Sequence, residues 1–568
     1  MLDPLLLVCL FLSLFAVVFC WRGAATRGFE YDELWMLRHY ARKAYAGEIF
    51  RDLRVPNNHP LYSLLVRYAV GQGGDSELRT RLPSLVAGIG LLVVLFPCFC
   101  RWTGNREASL VAFAWCLLSA PVLYYAQAAR GYELQAFLVV LFALLTVEAR
   151  SNANAERWWL GSAVAGGVAA MLTLPTSILY LVPIAGCDLA ERAVRLRRAG
   201  PTSMPTLWKR DVMAVAAYLV LFTLAGWWLM YGFGQLVKAR SAFGAPMTSV
   251  SVWLSFSAAV WSELFGGTTA VLILGGLWLS KRSASGLSLA FVMFFPFLLA
   301  PLTCGGPSRV YLPLMPFGMM AAATGICRLS ELSRTLLRGR RRQAFLVVVA
   351  LLPLVGLRFA LGRWTPADWR KVVPALQEKL SKDVFINYPS TAGYVIRHYY
   401  FPQIAWDISR RVPTGTEFTL AQIGDSQHLS AVDPRTGNSV DLSVMPGFAM
   451  GTETLAGVTV TYYRAVRLES LEGTQASVEG GVTLAAIGPD TPAAVRRLAE
   501  ALCGDGEHCG WVALDALLDE VFVPTGTSLP TAGVLLASID RPLAPAQMRQ
   551  VSIESGGKIR FYYLKRAG

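Results

Sequence analysis

Two carboxylates stand side by side in FEYDELWMLRHYARKAYAGEIF: Asp32 and Glu33. An acidic pair at a helix start can serve as a general base, or it can merely cap the helix and interact with its dipole. Residues 21–81 around the pair carry ten Lys/Arg. That surplus suits an anionic ligand, and equally lipid headgroups beneath an interfacial helix. His59 follows in NNHPLYSLL, where a lone histidine is more often structural than catalytic. Much further on, Cys503 and Cys509 bracket GDGEH in LCGDGEHCG. An oxidising compartment would permit a disulfide there, whereas a metal loop using His508 lacks a fourth ligand.

These residues need elements to hold them. From Asp32 onward, Leu34, Leu37, Ala41 and Ala44 recur at helical spacing, with Trp35, Tyr40 and Tyr45 suited to a membrane interface. One amphipathic helix is therefore predicted over this stretch. Apolar runs fit to cross about 30 Å of hydrocarbon begin near Leu5, Leu82, Ser109, Leu134, Trp158, Pro175, Val212, Phe265, Leu287, Val310 and Phe345. The expected fold is a polytopic α-helical membrane protein of about 11 transmembrane helices. With 54% hydrophobic and 16% charged residues in 568, an ordinary soluble protein and a disordered chain are both excluded. The eight cysteines in or beside the runs read as small hydrophobes.

Charge marks a boundary. Residues 1–362 hold 33 Lys/Arg and 17 Asp/Glu, while 363–568 hold 19 and 21, so the basic surplus belongs to the membrane half. It gathers in RWTGNRE, ERAVRLRRAG to WKRD, KRSASG and RLSELSRTLLRGRRRQ. By the positive-inside rule these segments are cytoplasmic, which excludes nucleic acid as the reason for the charge. The N-terminus is then cytoplasmic, the first outer loop is 21–81, and 363–568 is an extracytoplasmic, periplasmic domain. The first run reads as an uncleaved span, because Asp3 and no Lys or Arg precedes it. Strand-like runs (DVFINY, VTVTYYRAVRLE, GVTLAAIG, GVLLASI, KIRFYYL) alternate with helical ones (ADWRKVVPALQEKL, TPAAVRRLAEALC) in the tail, as in an α/β or α+β domain. The runs hold almost no ionisable residue. That weighs against the alternative of a lipid or solute transporter or flippase, which keeps polar groups at the midplane.

The outer-loop Asp-Glu, HPLY, GDSE with RLPS, YYAQAARGY and SRVYLPLMP occur in that order. The order resembles the GT-C polyprenyl-phosphate-sugar-dependent glycosyltransferases, in particular bacterial relatives of protein O-mannosyltransferases and lipid A aminoarabinose transferases. The resemblance spans roughly 1–362. It implies Asp32, with Glu33, as the catalytic acidic pair, and His59, Tyr62, Arg81, Gln127, Arg130, Tyr132, Arg309 and Tyr311 as donor-phosphate or substrate-binding residues. The family's H-P-P-L-Y lacks one Pro here, Asn57 stands where many relatives have an acid, Ala128 replaces the Glu of Q-E-A-R-x-Y, and Tyr311 falls one position late. With two carboxylates missing, a divalent metal through Glu33 or His59 is less expected, and no other cofactor is. The implied reaction takes a sugar from a polyprenyl-phosphate donor to a lipid, glycan or protein acceptor, through a hydroxyl or phosphate, with inversion. It would occur at the outer face of the cytoplasmic (inner) membrane. Asp32 would be the base, and arginines would bind the phosphate through bidentate, permanently charged guanidinium groups.

Overall fold

The computed structural model describes residues 3–355 apart from 54–57, 72–75, 200–203, 241–248, 281–283, 304–306 and 333–338. Beyond 355 it describes a few isolated positions and the strands given below. Contacts divide the chain into two units, Met1–Arg27 with Asp32–Pro366, and Gly28–Tyr31 with Ala367–Gly568.

The first unit is helical: α1 (Pro4–Thr26), α2 (Tyr31–Met36), α3 (Ala46–Arg51), α4 (Pro60–Val70), α5 (Glu77–Thr103), α6 (Arg106–Leu117), α7 (Ala120–Tyr125), α8 (Tyr132–Ser151), α9 (Glu156–Thr173), α10 (Ile178–Arg198), α11 (Met204–Arg240), α12 (Val250–Ser280), α13 (Ala284–Thr303), α14 (Leu314–Leu332) and α15 (Arg340–Leu351). Among the described residues α1, α5, α8 and Met204–Met230 of α11 are long and apolar enough to cross a membrane. The chain is thus a polytopic helical membrane protein. Val250–Gly266 and Thr269–Ser280 supply a fifth span if that pair, bent by 101°, counts as one. The bend sits at Gly266, whose φ of 68° suits glycine and few other residues.

The other predicted runs fall on helices that are shorter, less apolar or more charged. For example, α6 and α15 have 12 residues each. The helix over 250–266 was not among the eleven, because serines and Glu263 interrupt its apolar pattern.

Burial follows helix position. On α1, Cys9, Leu12, Ala16 and Cys20 turn inward, while Leu10, Phe11 and Leu14 are exposed, as a lipid-facing side would be. At the centre α5, α6 and α8 pack together, and nearly every residue of α6 and most of α8 are buried. Where α12 and α14 cross, a Cβ on Gly276 would strike the backbone of Ala321, and one on Gly325 would strike Gly276. Only small residues let helix backbones come this close.

At the other end of α8 to α11, charges form a buried network. Arg192 contacts Glu156 and Asp188, each at 2.6 Å, and Asp211 at 3.5 Å. Arg150 contacts Asp188 at 3.3 Å and Glu191 at 2.6 Å. Arg210 pairs with Glu156, Arg195 lies 3.4 Å from Asp211, and the Tyr218 hydroxyl donates to Asp188 at 2.9 Å.

In the second unit β1 (Val384–Asn387), β2 (Glu417–Ile423), β3 (Val444–Leu455) and β4 (Val458–Arg467) form a sheet in the order β1-β2-β4-β3, with β1 parallel to β2. Next come β5 (Ala476–Glu479), β6 (Val482–Ile487), β7 (Trp511–Val512), β8 (Glu520–Pro524), β9 (Gly533–Ile539), β10 (Met548–Ser552) and β11 (Ile559–Lys565). They form a five-stranded sheet, β5-β6-β9-β11-β7, and a β8/β10 pair. Strands β1, β4, β6, β9 and β11 run through the five segments whose alternation reads as strand. The helical segment TPAAVRRLAEALC and the Cys503/Cys509 loop lie outside the described residues, as does ADWRKVVPALQEKL apart from Arg370 and Lys371.

Candidate active site

The predicted amphipathic helix is broken in three: α2, a wider π-type turn at Leu37–Ala41 closed by the Arg42 amide on the Leu37 carbonyl at 3.0 Å, and α3. Carbonyls freed at the break find a donor in Arg67 of α4, which contacts Ala41, Lys43 and Ala44.

Consecutive helical residues point about 100° apart, and Asp32 and Glu33 part accordingly. Glu33 turns inward and meets Arg81 at the start of α5 in a two-pronged pair, Nε to Oε1 at 3.0 Å and Nη2 to Oε2 at 2.6 Å. The Ala129 amide donates to Oε1 at 2.5 Å, and Arg81 Nη1 donates to the carbonyls of Ala24 and Arg27 at 3.2 and 2.6 Å. Both side chains are fully buried. Burial pushes the Glu33 carboxyl up, but Arg81, then Arg27 and the Ala129 amide, more than offset this and hold it below the usual carboxylate range.

Asp32 turns the other way and keeps 30% of its side chain exposed. Its Oδ2 lies 3.5 Å from Arg130 Nη2 and 3.7 Å from Arg309 Nη2, and Arg130 Nη1 lies 3.4 Å from its carbonyl. The two arginines share Tyr132, whose hydroxyl accepts from Arg130 Nη2 at 3.3 Å and Arg309 Nε at 3.0 Å. Burial works against both guanidinium charges, yet Tyr132, Tyr125 and Asp32 raise the pKa of each.

Arg130 sits on a loop between α7 and α8 that several residues pin. Ser84 Oγ lies 2.6 and 3.1 Å from the carbonyls of Ala128 and Arg130, and 2.9 Å from the Tyr62 hydroxyl. Tyr62 in turn donates to the Thr80 carbonyl at 3.2 Å. His59 Nδ1 accepts the Gly131 amide at 2.7 Å, and its ring meets Tyr132 edge-on at 4.9 Å. Arg309 sits on a short 3-10 turn, Ser308–Tyr311, anchored by the Tyr180 hydroxyl on the Val310 carbonyl at 2.9 Å.

Of the residues singled out in the sequence, Asp32, Arg130, Tyr132 and Arg309 come together, with His59 against Tyr132 and Tyr62 beneath the loop. Gln127 does not join them: it donates to the Leu123 carbonyl at 2.7 Å and packs where a side chain on Gly23 would be. Tyr311 is buried and stacks on Phe297 at 5.2 Å. Glu133, the acid nearest in sequence to Ala128, is fully buried beside Gly88, and its oxygens have no hydrogen-bond partner among the described residues. Sequence reading missed Ser84, although RLPS contains it, and it missed Gly131 and Tyr180, which carry no signal of their own.

The donor set does not fit a divalent metal. Glu33 is committed to Arg81 and an amide, His59 has one nitrogen taken, and two guanidinium groups crowd Asp32. Among the described residues no group of three His, Cys, Asp or Glu could hold one.

No family model and no curated protein matches the sequence. Among solved structures the chain is similar to ArnT from Cupriavidus metallidurans, in the apo state and bound to undecaprenyl phosphate. Both share 14% identity, with a TM-score of 0.44, over 80% of this chain and 97% of that one. It is also similar to the Archaeoglobus fulgidus oligosaccharyltransferase tethered to an acceptor peptide, at 12% identity and TM-score 0.40, over 69% of this chain and 62% of that one. At such identity and superposition these are likenesses of outline, so the chemistry rests on side chains.

Proposed function

We propose that the chain is an integral-membrane glycosyltransferase that moves a sugar from a polyprenyl-phosphate donor to an acceptor hydroxyl or phosphate, with inversion. One observation carries this reading: a partly exposed carboxylate, Asp32, stands between two guanidinium groups, Arg130 at 3.5 Å and Arg309 at 3.7 Å. Such a site sets a base beside two guanidinium groups, the needs of transfer from a phosphate-linked sugar. The acceptor oxygen attacks the anomeric carbon, and the bond to the phosphate oxygen breaks. Polyprenyl phosphate leaves with that electron pair, and an acceptor hydroxyl gives its proton to Asp32. Because the phosphate is already a good leaving group, no second carboxylic acid is required, which suits a site with Ala128 where a Glu was expected.

In this reading Arg130 and Arg309 hold the phosphate and stabilise its developing charge. Glu33 and Arg81 leave the reacting set. They satisfy one another in the interior, so they position α2 and the Arg130 loop. Gln127 and Tyr311 are packing residues. Catalysis belongs to residues 1–362, on the outer side of the cytoplasmic membrane, with 363–568 on the same side. The test incubates purified protein with labelled polyprenyl-phosphate sugars and follows release of polyprenyl phosphate. Alongside it, lipid A, envelope glycans and secreted glycoproteins of a deletion strain are compared by mass spectrometry. Turnover lost in Asp32→Asn supports the reading; release at the wild-type rate contradicts it. A reporter fused after Gly568 should be active outside the cytoplasm, and cytoplasmic activity would reverse the sidedness.

A further inference from the structure

The end of α8 remote from Tyr132 borders a cavity of about 250 Å³ that α5 and α10 also line. Arg101 of α5, Arg150 of α8, and Asp188 and Glu191 of α10 are in its wall, with Trp102 next to Arg101. Arg150 stands about 27 Å along the helix from Tyr132, so the cavity is separate from the Asp32 site. Part of its charge is spent. Asp188 is satisfied by Arg150, Arg192 and the Tyr218 hydroxyl. Arg150, however, meets both Asp188 and Glu191 through Nη1, and among the described residues its Nε and Nη2 make no hydrogen bond. Arg101 bonds Glu148 through Nε at 2.6 Å and keeps both Nη groups, on a side chain 56% exposed. Glu191 turns Oε2 to Arg150, and its Oε1 accepts no hydrogen bond among the described residues. What the cavity offers a ligand is therefore two guanidinium edges and one carboxylate oxygen.

The lipid-facing side of the bundle leads to this place. On α5, Leu82, Val86, Ile89 and Val93 are exposed at helical spacing, and Arg101 follows Val93 by about two turns. An Arg-Trp pair at the end of a membrane span suits the level of the headgroups. The volume, about 250 Å³, is below the roughly 300–1,000 Å³ of pockets for drug-sized ligands, so the fit is to a headgroup. We propose that the cavity binds a zwitterionic aminophospholipid with the chemistry of phosphatidylethanolamine. The free edges of Arg101 and Arg150 hold the phosphodiester, Glu191 Oε1 takes the ammonium, and the acyl chains lie along the exposed face of α5. A phosphatidylglycerol would bring its phosphate to the arginines but set a neutral glycerol against Glu191, and a simple cation would meet two guanidinium groups. This inference does not depend on the transferase reading, because no residue of the Asp32 site takes part in it.

The test strips purified full-length protein of lipid in detergent. Native mass spectrometry then follows binding of phosphatidylethanolamine, of phosphatidylglycerol with the same acyl chains, and of free phosphoethanolamine. Wild type should bind phosphatidylethanolamine about tenfold more tightly than phosphatidylglycerol, the size of one hydrogen bond between charged groups, and free phosphoethanolamine more weakly than either. Glu191→Gln should weaken phosphatidylethanolamine alone, bringing the two lipids within about twofold of each other. Arg101→Gln should weaken both lipids while melting close to wild type, since its ion pair is largely exposed. Equal affinity of wild type for the two lipids, or a preference that survives Glu191→Gln, would overturn the proposal. Free phosphoethanolamine bound as tightly as the lipid would overturn the lipid as occupant and leave a site for a soluble aminophosphate.

Discussion

Two clusters of charge among the described residues are built differently. At the basic-loop ends of α8 to α11, four arginines (Arg150, Arg192, Arg195, Arg210) face four carboxylates (Glu156, Asp188, Glu191, Asp211). Arg192 holds two of them at 2.6 Å. Around Asp32, one half-open carboxylate faces two arginines at 3.5 and 3.7 Å. The first cluster is balanced in charge, and three of its contacts stand at 2.6 Å. The second sets one partly exposed carboxylate against two guanidinium groups at longer range, and charge-assisted contacts to an entering anion are the stronger kind. Number of charges alone would not separate them; balance and distance do.

Breaking the closed cluster should have the largest effect. Arg192→Met removes the arginine that Glu156 and Asp188 share, leaving Arg210 to Glu156 and Arg150 with Tyr218 to Asp188, at a cost of about 3 kcal/mol, the low end for breaking a buried pair. A large fall in melting temperature and yield is expected, with activity per folded molecule unchanged. Arg81→Met should also lower the melting temperature, because it takes from Glu33 its two-pronged partner in the interior. Loss of turnover in an Arg81→Met protein of wild-type stability would restore Arg81 to the phosphate site.

Arg309→Lys keeps the charge but loses the fork. It should raise the donor KM about tenfold in detergent, roughly 1.4 kcal/mol, with little change in melting temperature.

Acid should act next, and in one direction. His59 has a folded pKa below its unfolded 6.5, so the unfolded chain takes up its proton first as pH falls. Its contribution is whole above pH 6.5 and shrinks below it. The depressed Glu33 carboxyl adds a second loss, whole above 4.5 and removed as pH falls through its folded value. Melting temperature followed from pH 8 to 4 should decline from 6.5 downward, and His59→Asn should remove the upper part of that decline.

The smallest effects belong to the rim of the first outer loop. Arg42 donates to the Gly71 carbonyl at 2.8 Å, and Lys43 lies 3.3 Å from Asp52. Arg42→Ala and Lys43→Ala should each cost no more than about 1 kcal/mol. They should weaken activity in anionic liposomes and hardly at all in detergent.

The sequence made the Asp32-Glu33 pair visible as a site, but not how the two divide the work. Which of them turns inward depends on Arg81, 48 residues away and equally plausible in the sequence as a phosphate ligand. The basic residues of ERAVRLRRAG and WKRD were legible as a topological surplus. Asp188 stands one turn before Arg192 on α10, a pair that local spacing offers, but that Arg192 and Arg210 also find Glu156 needs the ends of different helices to meet. Apolar runs were legible by length, whereas the break of the first-loop helix leaves carbonyls that the distant Arg67 of α4 meets. Strands of the second unit were legible because their runs are rich in β-branched and aromatic residues.

The division of labour between the neighbouring carboxylates can be read in a paired experiment. Asp32→Asn and Glu33→Gln are purified in parallel, and release of polyprenyl phosphate per folded molecule is measured with melting temperature. Asp32→Asn should melt within about 2 °C of wild type, since a half-exposed carboxylate contributes under about 1 kcal/mol, and should lose two or more orders of magnitude in rate. Glu33→Gln should melt markedly lower while its folded fraction still turns over. Wild-type turnover by Asp32→Asn would contradict the account and return Asp32 to the role of a helix cap.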